Sequence, residues 1–180
     1  MIDLTNPIIA AVRSENEYDL ALRSPVQAVF LLSSDVMTLR SLIEKKGDKK
    51  VFVHIDMADG VGKDKKGVEL LKSMGVDGII STKNAMIAYA KERGLITVQR
   101  FFIIDSKSVE TALDVVKSTK PDFAELMPGV IPRAVKAVTE VSLTPIITGG
   151  LIQSKADVVN ALSAGAYAVS TASHDLWKME

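Results

Sequence analysis

Apolar runs rich in Val, Ile and Ala recur along the chain at Ile8–Val12, Val26–Leu32, Val51–Ile55, Gly78–Ser81, Ile96–Arg100, Phe123–Leu126, Pro145–Thr148 and Tyr167–Thr171. Most are continuously apolar rather than alternating, which is the pattern of parallel strands covered on both faces. Between them apolar residues fall at helical spacing, as in Val36, Met37, Leu39, Leu42 and Ile43, and again in Val68, Leu70, Leu71 and Met74. Gly47, Gly75, Gly94 and Gly165 stand where such helices should stop and the chain turn back into a strand. Strand–helix alternation with short links predicts a parallel α/β fold. About eight units, with a glycine pair late in the chain, predict a closed TIM-like (β/α)8 barrel, compact and with short helices. An open dinucleotide-binding sheet would carry its glycines after the first strand. Here that strand ends Ala10-Ala11-Val12-Arg13 with no glycine.

The late glycines are the most informative stretch. Pro145 to Thr148 reads as a buried strand running into Gly149 and Gly150. Ser154 with Asp157 three residues on predicts an N-cap and its reciprocal acid, opening a helix over Lys155–Ser163 that Gly165 ends. The next strand closes on the small hydroxyl residues Ser170 and Thr171. Glycine and hydroxyl residues at two consecutive strand ends, beside helix N-termini, suit a phosphate group. The last two strand ends are also where a barrel of this type usually holds one. Gly149, Gly150, Ser170 and Thr171 are therefore candidate phosphate ligands. The alternative is a plain tight turn with two hydroxyls filling a core layer.

Charged and polar residues at other strand ends converge on the same mouth. They are Arg13 after the first strand, His54 and Asp56 on the third, Lys83 after the fourth, Arg100 ending the fifth and Glu125 on the sixth. Such residues are uncommon in strands unless paired or functional. Arg100 and Glu125 could pair across the mouth. His54 and Asp56, two apart on one strand, would face the same side and suit a polyol's hydroxyls better than a metal; no metal site is assigned. The polar segment Asp56–Lys66 reads as a mobile loop over the mouth, and its Lys63, Lys65 and Lys66 are the candidate RNA-contacting residues, the alternative being a solvated face. Lys45, Lys46, Lys49 and Lys50 belong to the opposite face. His174 reads as a surface or capping residue, and Trp177 as the anchor of a short last helix.

Charge narrows the partners. Twenty-two basic residues balance twenty-two acidic ones, so no global positive field draws nucleic acid non-specifically. The chain has no cysteine, which leaves out disulfides and thiolate zinc sites and fits a reducing compartment. The first seven residues lack the pattern of a signal peptide, and no apolar run is long enough to span a bilayer. One cytoplasmic domain over residues 1–180 is expected, with no membrane contact and no cofactor.

Several short motifs then occur together and in order: Val53-His54-Ile55-Asp56, Gly78 to Thr82, Gln99-Arg100-Phe101-Phe102, Glu125 to Gly129, Thr148 to Leu151, and Ser170 to Ser173 followed by Leu176-Trp177. This set resembles the glycerol uptake operon antiterminator family, the glycerol-3-phosphate-responsive regulators, over nearly the whole chain. The resemblance implies a barrel that binds glycerol 3-phosphate and then acts on leader mRNA to prevent premature termination. Residue by residue, it implies a phosphate held by Gly149, Gly150, Ser170 and Thr171. The glycerol end would be lined by Arg13, His54, Asp56, Arg100 and Glu125. Two positions depart from the family. Leu32-Ser33-Ser34 stands where an acid and a histidine are usual, and Lys83 replaces an arginine, keeping the charge without the bidentate fork. A homo-oligomer is compatible with this reading. The competing class is a phosphate-gripping barrel enzyme, an isomerase or aldolase using a His, two carboxylates and a Lys. A Schiff-base lysine would need an apolar pocket, so Lys83 buried against apolar walls would raise this reading.

Overall fold

Residues 4–179 are described by a computed structural model. Each predicted apolar run overlaps a strand, to within two residues at either end: β1 (Ile8–Val12), β2 (Ala28–Leu31), β4 (Lys50–His54), β6 (Gly78–Ser81), β7 (Ile96–Phe102), β8 (Phe123–Met127), β9 (Ile146–Gly149) and β10 (Ala168–Thr171). Two further strands, β3 (Ser34–Asp35) and β5 (Ala58–Asp59), pair only with each other. The helices are α1 (Glu15–Arg23), α2 (Val36–Glu44), α3 (Lys65–Ser73), α4 (Asn84–Glu92), α5 (Ser106–Thr119), α6 (Pro132–Thr139) and α7 (Lys155–Ser163). The eight long strands close into a parallel barrel in the order β1-β2-β4-β6-β7-β8-β9-β10, and β10 returns to β1. This is the compact TIM-like barrel that the pattern predicts, with helices of eight or nine residues apart from α5.

Residues alternate inward and outward along each strand. The inward ones, among them Ile9, Phe30, Phe52, Ile80, Val98, Phe123 and Ile147, fill the lower barrel. Phe30 meets Phe52 edge-on at 5.4 Å, and Phe123 lies 5.6 Å from Tyr167. Each of the fully buried Phe30, Phe52 and Phe123 rings contributes about 2 kcal/mol. Gly78 is a packing glycine, because a Cβ there would stand 2.7 Å from the Phe52 ring and 2.3 Å from the Ile96 carbonyl. Outward residues such as Val12, Val29, Val51, Val53 and Ile79 meet the helices, which explains the continuous apolar runs.

Local signals place the helix ends. Ser154 and Asp157 form the expected reciprocal cap of α7, over the expected span Lys155–Ser163. Asp105 and Ser108 do the same for α5. Trp177 is buried, and its indole N–H donates to the Thr171 carbonyl at 2.8 Å, tying the terminal 3-10 turn Leu176–Lys178 to the end of β10. Among the described residues no helix is long and apolar enough to cross a membrane.

The segment after β4 differs from the expected open loop. It makes a 3-10 turn at Ile55–Met57, then β5 against β3, and Lys65 and Lys66 already form the first turn of α3. The cause is Asp64, whose carboxylate accepts from the Gly67 N–H at 3.0 Å and caps the helix. Gly67 is needed there because a Cβ would collide with the Gly62 carbonyl at 1.7 Å. Only residues 60–64 are left irregular.

Candidate functional site

Where the inward side chains reach the C-terminal strand ends, the apolar filling gives way to a charged layer. Arg100 and Glu125 are register partners on β7 and β8, and the Arg100 Nε–H donates to Glu125 Oε2 at 2.6 Å. The pair is therefore formed between neighbouring strands, not across the mouth. Glu125 is wholly buried and Arg100 is 8% exposed. The other Glu125 oxygen accepts from the Ser170 hydroxyl at 2.7 Å. Gly149 leaves room for this contact, since a Cβ would lie 2.2 Å from Ser170 Oγ and 2.8 Å from Glu125 Oε1.

This changes the roles expected of the hydroxyls. The Ser170 proton is committed to Glu125. The Thr171 hydroxyl donates to the Ile152 carbonyl at 2.7 Å and accepts from the Ser173 N–H at 3.0 Å, pinning the two turns together. The N-terminus of α7 is also occupied: Asp157 accepts from the Gln153 and Ser154 N–H groups at 3.1 and 2.9 Å. The Ser154 hydroxyl and these backbone bonds hold its carboxyl below the usual range. Ser170 and Thr171 thus line the site with their hydroxyl protons committed inside the protein, and Gly149 leaves the room for the Ser170–Glu125 contact.

A cavity of about 470 Å³ opens in front of them. Its walls are Arg13, Arg100, the turn from Gly150 to Gln153 and the strand end from Ser170 to Ser173, with Ala11, Leu32 and Met127 as an apolar side. Gly150 has φ 75° and Leu151 has φ 62°. A left-handed leucine is uncommon and costs of order 1 kcal/mol or more, so the turn conformation is imposed by its surroundings. Among the described residues the N–H groups of Leu151 and Ala172 make no hydrogen bond. No local signal marks Leu151, because left-handed positions are normally taken by Gly or Asn. Sequence reasoning missed it for that reason.

The other candidates are dispersed around the mouth. Arg13 is exposed and lines the cavity. His54 ends β4, while Asp56 lies beyond the strand in the 3-10 turn, so the two do not share a strand face as expected. Asp56 instead accepts from the Ser81 hydroxyl at 2.9 Å and from the Thr82 N–H and hydroxyl at 2.8 and 3.1 Å, bracing the turn into α4. Lys83 is exposed at the N-cap of α4. Lys65 lies over the Tyr89 ring at 5.0 Å, and Lys63 and Lys66 are exposed. On the opposite face Lys46 and Lys50 pair with Asp77, and Lys49 donates to the Ser24 and Val26 carbonyls, so these lysines have structural work.

His54 is buried, with Nδ1 4.0 Å from Asp56 Oδ2 and no hydrogen bond on that nitrogen. Burial first, and the Arg100 charge second, push it from 6.5 down to about 4. A depressed histidine means that the unfolded chain binds the proton more readily. Its contribution to stability is complete above pH 6.5 and is lost as pH falls towards 4, a change of about 3 kcal/mol. His54→Gln is expected to flatten the fall in melting temperature between pH 6.5 and 4. An unchanged pH profile in that variant would remove His54 as the cause.

Comparison with known proteins gives a consistent picture. The model of the family described as glycerol-3-phosphate responsive antiterminator matches residues 8–177. The uncharacterized protein YgcP of Escherichia coli (strain K12) is 34% identical over 177 residues, covering 97% of this chain and 93% of that protein. The crystal structure of the glycerol uptake operon antiterminator regulatory protein of Listeria monocytogenes str. 4b F2365 is similar with a TM-score of 0.92 and 31% identity, covering 98% and 97% of the two chains. A glycerol uptake operon antiterminator-related protein of Thermotoga maritima MSB8 is similar with a TM-score of 0.86 and 31% identity, covering 97% and 99%.

Proposed function

Since the chain belongs to the glycerol-3-phosphate responsive antiterminator family, we propose that it binds glycerol 3-phosphate at the barrel mouth and, so liganded, acts on leader mRNA as a cytoplasmic antiterminator. The observation that carries this reading is the cavity that brings Arg13 and Arg100 together with the Gly150–Leu151 turn. A phosphate there would meet the uncommitted N–H groups of Leu151 and Ala172 and the Arg13 guanidinium. Arg100 uses its Nε on Glu125 and has its terminal N–H groups left for the polyol hydroxyls. Gly149, Ser170 and Thr171 would act by holding this geometry. The position of Leu32 on the cavity wall narrows the polar part of the site to the arginine side.

A Schiff-base enzyme would need its lysine in an apolar pocket, and Lys83 is exposed. Glu125 is engaged by Arg100 and Ser170, and Asp56 by the α4 turn, so neither carboxylate is placed as a free base. A thermal-shift panel of glycerol 3-phosphate, dihydroxyacetone phosphate, glycerol and inorganic phosphate tests the ligand. At about a hundred times its dissociation constant a true ligand adds roughly 2.7 kcal/mol, or roughly 5–10 °C in a chain of this size. Glycerol 3-phosphate is expected to reach that value and glycerol to give no shift. No shift with any phosphorylated three-carbon compound would remove the ligand from this reading.

A further inference from the structure

The turns on one side of the mouth carry an unusual surface. Phe102 is 57% exposed, Ile104 88%, Ile131 42% and Leu151 68%. Phe102 ends β7, and the others lie in the consecutive turns between β7 and α5, β8 and α6, and β9 and α7, all at the C-terminal strand ends and so on one rim. An exposed apolar patch of this kind on a soluble chain marks an interaction site. The helices that start from the same turns carry Lys107, Arg133 and Lys155 in their first turns, all exposed. None of the three forms an ion pair among the described residues. A helix N-terminus disfavours a cation. Asp105 caps α5 and Asp157 lies in the first turn of α7, whereas α6 has no such acid, so the Arg133 charge is the one that folding leaves uncompensated.

We propose that this rim is the RNA-binding surface, with unstacked bases on the apolar side chains and phosphates on the three cations. The inference rests on the antiterminator reading above. An exposed ring flanked by unpaired cations is what single-stranded nucleic acid requires, since every base offers a face for stacking and every linkage a negative charge. A second copy of the chain fits less well. A two-fold contact centred on this rim would bring the three cations against their own counterparts. The rim also touches the ligand site directly. Leu151 belongs both to the cavity wall and to the exposed patch. A ligand held by the Leu151 N–H would fix the turn that presents the Leu151 side chain, which gives RNA binding a differential dependence on the ligand.

The test uses the full chain and two fluorescein-labelled single-stranded RNAs of about 20 nucleotides, one from the leader mRNA and one of mixed sequence, followed by anisotropy at two salt concentrations with and without glycerol 3-phosphate. Phe102→Ala is expected to weaken binding roughly tenfold, as loss of one stacking platform does. The triple variant Lys107→Gln, Arg133→Gln, Lys155→Gln is expected to reduce the salt slope by about two. Both should keep the thermal shift given by glycerol 3-phosphate, because neither touches the cavity. Wild-type affinity and slope in both variants would overturn the rim while leaving the antiterminator reading standing. Loss confined to a Lys63→Gln, Lys66→Gln variant would likewise overturn it, by moving the contact to the turn before α3. Absence of RNA binding by the wild-type chain in every condition would overturn the RNA reading and the rim together.

Discussion

Arg100→Met is expected to lower stability by about 3–5 kcal/mol, the usual cost of stranding one member of a buried ion pair, and to lower the melting temperature by roughly 10 °C. The size follows from Glu125, which is wholly buried and would keep only the Ser170 hydroxyl as a partner. Desolvation of that carboxylate is then uncompensated, and its easiest relief is to take up a proton. The double variant Arg100→Met, Glu125→Gln is therefore expected to regain most of the lost stability. The amide keeps an acceptor for Ser170 and carries no charge. Chemical denaturation of the wild type, both single variants and the double variant gives the coupling energy directly. Simple additivity would mean that the pair, despite its 2.6 Å contact, is not what holds this layer together. Ligand binding should stay impaired in the double variant, because the guanidinium is still missing from the cavity wall.

Gly150→Asp is expected to reduce glycerol 3-phosphate affinity by more than about a hundredfold, since a carboxylate would stand where an anion is proposed to bind. Two smaller effects accompany the charge. Gly150 has φ 75°, so any side chain there costs roughly 1 kcal/mol of strain. A Cβ would also press on the Met127 methyl at 2.8 Å, a flexible end that can move aside. Gly150→Ala shares both effects without the charge, so the difference between the two variants isolates the repulsion. Calorimetric titration of both proteins is the measurement. Equal affinities for the aspartate and alanine variants would place the anion elsewhere.

The parts of the fold that sequence revealed are those governed by neighbours in the chain. The α7 cap needed only Ser154 and Asp157, and the barrel needed only the repetition of apolar runs and helical stripes. Asp64 was an equally local signal for the start of α3, hidden because Gly67 three residues on lowers helix propensity. The reason for that glycine, the approach of the Gly62 carbonyl, is visible only in three dimensions. At the mouth, the residue types at the strand ends were legible but their partners were not. Ser170 reaches Glu125 across 45 positions of sequence, and Asp56 reaches Ser81 across 25. Those contacts depend on strand register and on the exact length of the turns. For that reason the internal partners of the Ser170 and Thr171 hydroxyls could not be read from the chain, although glycines at these strand ends did point to backbone N–H groups facing the site.

The aromatic filling of the lower barrel has a kinetic consequence. Phe30, Phe52, Phe123 and Tyr167 close the end away from the cavity, so the barrel is a cup and a small molecule in it has one way in and out. Whatever settles on the rim then stands in that doorway. A partner seated there would lengthen the residence time of the molecule beneath it, even where it leaves the intrinsic contacts of that molecule unchanged.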